Sequence, residues 1–191
     1  MKTRLLLHIC CAPDATVPWP ALAEEGFNVS GFFYGGNIHP PDEWNRRRDA
    51  VKRLTAVMRS ETMIVPYEPD SWLDMTRESA SDPEGGERCS VCVGIQLEAA
   101  ARYACENGYD CLCTTLSISP HKNPGEINTI GAGKASVAGV KWISRVWRKK
   151  DGFKLSVARS LKMGLYRQNY CGCVYSMRRA AGTGDADERQ N

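Results

Sequence analysis

The sequence has no apolar run near the roughly 18 residues that cross a bilayer, so no membrane-spanning helix is expected. Its opening, Met1-Lys2-Thr3-Arg4 followed by Leu5-Leu6-Leu7, imitates a secretory leader. His8 ends that stretch short of the roughly 7–15 apolar residues a leader needs. No glycine-rich, serine-containing phosphate loop follows Ile9, which argues against a nucleotide-hydrolysing enzyme of the pyrophosphatase-loop kind. No internal repeat is evident. An even cysteine count is missing too: nine thiols fit a complete disulfide framework poorly. A cytoplasmic, reducing setting is expected, where paired cysteines more often serve metals or catalysis.

At 191 residues, 42% hydrophobic and 25% charged, the chain suits one soluble domain with a continuous core. The expected domain covers residues 1–179, with 180–191 small, polar and disordered. Charge is unevenly spread. Residues 61–140 hold five basic and twelve acidic side chains, whereas 141–179 hold eleven basic ones and a single acid, Asp151. That asymmetry suggests a polyanionic partner, phosphate backbone first. Charge alone fits a merely solvated basic surface equally well.

The pattern reads as strands alternating with helices. Arg4–Ile9, Asn28–Tyr34, Thr62–Pro66, Asp110–Leu116 and Val140–Ile143 read as strands. Helices are expected from Asp14 or Thr16 toward Glu25, from Pro41 to Arg59, and over Ser71–Ser79, Val91–Asn107 and Gly125–Ala138. Ser81 to Glu87 reads as a polar loop leading to Cys89. The fold class is therefore α/β: a Rossmann-like, doubly wound, mainly parallel sheet with helices on both faces. In such sheets the working site lies beyond the carboxyl ends of the strands. Cys10, Asn37 and Ser117 all follow strand ends, which puts their loops on one rim.

Six of the nine cysteines form three tight pairs: Cys10-Cys11, Cys89-x-x-Cys92 and Cys171-Gly172-Cys173. The pairs lie about eighty residues apart along the chain, so only folding can unite them. United, they would make a thiolate site large enough for an iron–sulfur cluster. Structural zinc competes: it takes four ligands and suits Cys89 and Cys92 with Cys171 and Cys173, leaving Cys10-Cys11 idle. Cys105, Cys111 and Cys113 sit in apolar surroundings and read as small buried hydrophobes. His8, inside a strand, reads as a core histidine, while His39 and His121 fall in loops at the expected rim.

Several stretches resemble one family, the cobalamin-independent epoxyqueuosine reductases of the QueH type. They are Leu6-Leu7-His8-Ile9-Cys10-Cys11-Ala12-Pro13-Asp14; Phe33-Tyr34-Gly35-Gly36-Asn37-Ile38-His39-Pro40 with Glu43 and Arg46–Arg48; Thr114-Thr115-Leu116; Ser119-Pro120-His121-Lys122-Asn123; Ile127–Gly131; and Ser156–Ser160 followed by Gly164-Leu165-Tyr166-Arg167-Gln168-Asn169-Tyr170-Cys171-Gly172-Cys173. Their order covers nearly the whole chain. Gly35-Gly36 stands where Asn-Pro is common in the family, and Val146–Lys150 replaces a more usual Asp-Phe-Arg-Lys.

The resemblance implies reduction of epoxyqueuosine to queuosine at the wobble position of tRNA, in tRNAs with a GUN anticodon (tyrosine, histidine, asparagine, aspartate). It implies a 4Fe-4S cluster and an additional mononuclear iron, with Cys10, Cys11, Asp14, Cys89, Cys92, Cys171 and Cys173 as ligands. An external one-electron donor such as ferredoxin or flavodoxin would feed it. Proton-donor candidates are Asp14, His39, His121 and Tyr166. Arg148, Lys149, Lys150 and Arg167 are candidates for tRNA phosphates, and Trp147, Tyr166 and Tyr170 for stacking on an extruded base. The run Arg46–Arg48 reads equally well as a solvated helix face. A zinc-stabilised RNA-binding module without redox catalysis is the alternative. In the cluster reading, Cys11→Ala loses bound iron and activity while Cys105→Ala keeps both; equal iron in the two variants would refute the division of the cysteines.

Overall fold

The computed structural model describes residues 2–177. The expected tail over 180–191, and Arg178 and Arg179, lie outside the described residues. Among the described residues five strands form one sheet: β1 (Arg4–His8), β2 (Asn28–Phe33), β3 (Thr62–Ile64), β4 (Cys111–Thr114) and β5 (Lys141–Trp142). Their order is β3-β2-β1-β4-β5, and every pairing is parallel. Parallel strands need crossovers, and these are supplied by α1 (Ala12–Ala15), α2 (Pro18–Glu24), α3 (Pro41–Met58), α4 (Pro69–Thr76), α5 (Glu87–Glu106) and α6 (Pro124–Val137). A further helix, α7 (Gly152–Lys162), follows the last strand.

β1 is the central strand, and its leucines show how both faces are covered. Leu5 and Leu7 point into a core with Trp19 and Leu22 of α2 and Val51 and Leu54 of α3. Leu6 points the opposite way, onto Ala100, Ala101 and Ala104 of α5 and Ala135 of α6. Small alanines let α5 lie close to the sheet. His8, fully buried, shares a 2.9 Å hydrogen bond between its Nδ1 and the Thr114 hydroxyl. Burial holds its pKa down to about 4, so it is a neutral core histidine.

Three elements depart from the sequence reading. The expected helix toward Glu25 breaks into α1 and α2, because Pro18 has no N–H with which to continue the first helix. α5 begins at Glu87, ahead of the expected Val91, so Cys89 and Cys92 both ride on its first turns. The segment from Gly152 to Lys162 carries no sequence assignment, yet it forms α7, whose Ser156 hydroxyl donates to the Pro13 carbonyl at 2.8 Å. α7 thereby fastens the chain's later part against the turn that carries Cys10 and Cys11.

The order of strands reverses between β1 and β4. β1 leads left to β2 and β3, β4 leads right to β5, and the two departing loops open a crevice at their carboxyl ends. The Cys10 amide donates to the Thr115 hydroxyl at 3.2 Å across that crevice. Leu6→Ala, at a fully buried site, is expected to cost about 2–5 kcal/mol. Val137→Ala, at a site 91% exposed, is expected to change little. Urea denaturation of the two variants checks both.

Candidate metal centre

Five of the six paired cysteines, Cys10, Cys89, Cys92, Cys171 and Cys173, line one cavity of about 740 Å³ at this crevice. Asp14 lines it as well. Cys11 is buried beside them: one ligand atom each from Cys10, Cys11 and Asp14 all lie within 4.8 Å of one another. Short α1 explains the triad. Cys10 and Cys11 lead into that turn, and Asp14 stands in it, so the carboxylate folds back over the sulfurs. The Cys10 thiol donates to Asp14 Oδ2 at 3.2 Å, and the Thr115 hydroxyl donates to Cys10 Sγ at 3.4 Å.

Cys89 and Cys92, three residues apart on α5, present their sulfurs on one helix face. The Gly85 amide donates to Cys89 Sγ at 3.2 Å. Cys92 Sγ accepts from the Trp72 indole N–H at 3.3 Å and the Gln96 amide at 3.1 Å. Trp72 is fully buried in α4, which makes α4 the wall behind Cys92.

The third pair arrives from the far end of the described chain and needs an anchor. Arg47 of α3 supplies it. Its Nη1 donates to the Cys171 carbonyl at 2.9 Å and its Nη2 to the Tyr170 carbonyl at 3.2 Å. Its Nε donates to Glu43 Oε1 at 2.7 Å, and both side chains are sealed, at 2% and 1% exposure. Gly172 has φ +122°, and a Cβ there would lie 2.8 Å from Arg47 Nη1. Only glycine therefore fits between the two cysteines. The His39 amide donates to the Gly172 carbonyl at 2.7 Å, and the Tyr170 hydroxyl donates to the His39 carbonyl at 2.5 Å.

Burial makes bare thiolates costly here. It pushes Cys92 up to about 12, with Cys171 as a second cause, and it raises Cys171 as well. Cys10 is raised well above the usual thiol range, first by its hydrogen bond with Cys11 and then by burial. Burial also raises Asp14, against the pull of its sulfur hydrogen bonds and of Arg167 and Lys122. Closely set thiols with one carboxylate are a donor set that a metal would charge-balance, and softer sulfur ligands suit iron or zinc. The donor number exceeds the four of a single zinc site, and cysteine thiolates in this number are the ligands iron–sulfur clusters use.

The other expected site residues fall into two groups. His121, exposed, and Arg167 line the cavity. Arg167 also donates to the Ser160 hydroxyl at 2.8 Å. His39 and Tyr166 are not among the lining residues. The His39 ring packs on Trp72 with centroids 5.4 Å apart, and the Tyr166 hydroxyl donates to Glu43 Oε2 at 2.6 Å. Arg148, Lys149 and Lys150 are exposed, and Arg148 donates to the carbonyls of Pro120 and Lys122 at 3.3 and 3.1 Å. Trp147 packs on the core and donates to the Thr114 carbonyl at 3.0 Å. Cys111 and Cys113 are buried in strand β4, as expected, but Cys105 is exposed. An apolar sequence neighbourhood did not reveal that Cys105 lies on the outer face of α5.

Arg47, Trp72, Gln96 and Lys122 are site residues that the sequence reading did not single out. Glu43 and Arg47, four apart on a helix, were one available signal.

Comparisons with known proteins identify the family of the chain. The family model for epoxyqueuosine reductase QueH matches residues 5–179. A Streptococcus pyogenes epoxyqueuosine reductase QueH is 33% identical over 182 residues, covering 92% of this chain and 71% of its own. The Acinetobacter baylyi protein of that name is 36% identical, at 92% and 81% coverage, and the Thermotoga maritima one 34% identical, at 91% and 90%. Two solved structures share the fold at low identity. A U34-tRNA thiolase NcsA from Methanococcus maripaludis, solved with its [4Fe-4S] cluster, superposes with TM-score 0.55 at 14% identity, covering 98% of this chain and 66% of that longer one. A predicted subunit of tRNA methyltransferase from Methanocaldococcus jannaschii gives 0.55 at 11%, covering 81% and 74%. With the family model spanning nearly all of the domain and relatives above 30% identity along most of their own length, the chain belongs to the epoxyqueuosine reductase QueH family.

Proposed function

We propose that the protein reduces epoxyqueuosine to queuosine at the wobble position of tRNA, using a 4Fe-4S cluster and an adjacent iron. The observation that carries this is the meeting of three distant cysteine pairs and Asp14 at one crevice in a chain of this family. Cys10, Cys11 and Asp14 would hold the lone iron, and Cys89, Cys92, Cys171 and Cys173 the cluster. When bound, the metals supply single electrons and a Lewis acid for the substrate oxygen.

The residues supply the rest. Loss of the epoxide oxygen as water consumes two electrons and two protons and leaves an alkene; an external one-electron donor such as ferredoxin or flavodoxin provides the electrons. His121, exposed at the cavity wall, is the favoured proton donor, because Asp14 as an iron ligand would be deprotonated. His39 and Tyr166 act as positioning residues, because each secures the loop or helix that carries the third pair. Arg167 in the cavity wall and the exposed Arg148, Lys149 and Lys150 bind tRNA phosphates. The expected substrates are tRNAs with a GUN anticodon.

Reduced, iron-replete protein given epoxyqueuosine-containing tRNA is expected to yield queuosine, read by nucleoside mass spectrometry. No product, or a colourless anaerobic preparation carrying stoichiometric zinc, would overturn the reading in favour of a zinc-stabilised RNA-binding module. Asp14→Ala is expected to lose the lone iron and turnover but keep the cluster's visible absorption. Replacing both Lys149 and Lys150 by alanine should weaken binding of all tRNAs alike and lower the salt slope by about one for each phosphate that is no longer neutralised, measured by filter binding across a salt series.

A further inference from the structure

The cavity that gathers the thiols also holds one cation directly against sulfur. Lys122 Nζ lies 3.6 Å from Cys171 Sγ, and the side chain is half-buried. Lys122 makes no ion pair with a carboxylate among the described residues; the acids sharing its cavity are Asp14 and Glu84. Its backbone is held on both sides. Arg148 grips the carbonyls of Pro120 and Lys122, and the next residue, Asn123, caps α6 by accepting from the Gly125 and Glu126 amides. The lysine stem also lines a second cavity of about 140 Å³ that adjoins the first at Cys89 and His121.

We propose that Lys122 is a potential-setting residue: its ammonium, fixed beside Cys171, offsets charge on the thiolate set and favours the reduced state of a bound cluster. The inference rests on the cluster reading above. A cation near sulfur stabilises whichever state carries more negative charge, and the interaction weakens only as the inverse of distance in a poorly screened site. Reduction adds one electron, with no bond made or broken and no proton moved, so the whole effect falls on the equilibrium for that electron.

The test is an anaerobic dithionite titration of the iron-loaded protein, followed by visible absorption and electron paramagnetic resonance, alongside iron content. Lys122→Gln is expected to make reduction at least about tenfold less favourable, a shift of about 59 mV to lower potential for one electron. Lys122→Arg, which keeps the charge, is expected to stay near wild type. Loss of bound iron in Lys122→Gln that Lys122→Arg restores would support charge compensation as well. An unchanged potential in Lys122→Gln, or equal losses in both variants, would overturn the assignment while leaving the cluster reading intact. Wild-type protein that takes up no iron–sulfur chromophore would overturn the cluster reading, and this assignment with it.

Discussion

A buried guanidinium joins two parts of the chain that the sheet alone would leave apart. The sheet and its crossovers place Cys10, Cys11, Cys89 and Cys92 through ordinary α/β packing. Cys171 and Cys173 belong to no strand or crossover, and Arg47 reaches them through two backbone carbonyls. Glu43 makes that reach affordable in electrostatic terms, because an unpaired buried charge costs several kcal/mol. Glu43 also receives the Tyr166 hydroxyl, so the same carboxylate steadies the segment leading into the third pair. The approach of the third pair to the other four thiols thus depends on one ion pair within α3.

The surroundings of the sulfurs are not uniform. Cys92 has two side-chain N–H donors, Cys171 has an ammonium, and Cys10 has a hydroxyl and an acid. Hydrogen bonds and charge at the sulfurs are what a protein uses to adjust an iron–sulfur group, since it cannot change the inorganic core. Cys92 on α5 is met by N–H donors, whereas Cys10 is met by the Asp14 carboxylate of α1 and the Thr115 hydroxyl.

Much of this was legible from residue order. Alternating apolar stretches announced a parallel α/β sheet, and strand ends announced the rim that carries Cys10 and Asn37. Family-like motifs added Asp14, which cysteine spacing could not. What remained hidden depended on tertiary phase. Within Arg46-Arg47-Arg48 the sequence offers three equivalent cations, yet helical rotation against the 170–173 segment seals Arg47 and leaves Arg46 half in solvent. The same holds for Cys105, whose apolar neighbours face the sheet while its own thiol turns outward. Pro18 was visible, but its power to split a helix depends on where the preceding turn ends. α7 escaped because its buried side is built from Gly152, Ser156 and Ser160, small polar residues that carry no hydrophobic period.

Cys105 has a practical side. It is the one cysteine of the nine that stands exposed, near the end of α5 opposite Cys89 and Cys92. About thirteen to sixteen residues of continuous helix separate it from Cys92 and Cys89, roughly 20 to 24 Å at 1.5 Å per residue. A maleimide dye or spin label on metal-loaded protein would therefore settle at a native handle, rigidly connected to the site and remote from its chemistry. The fold supplies its own attachment point for following metal uptake and tRNA arrival by optical or magnetic signal.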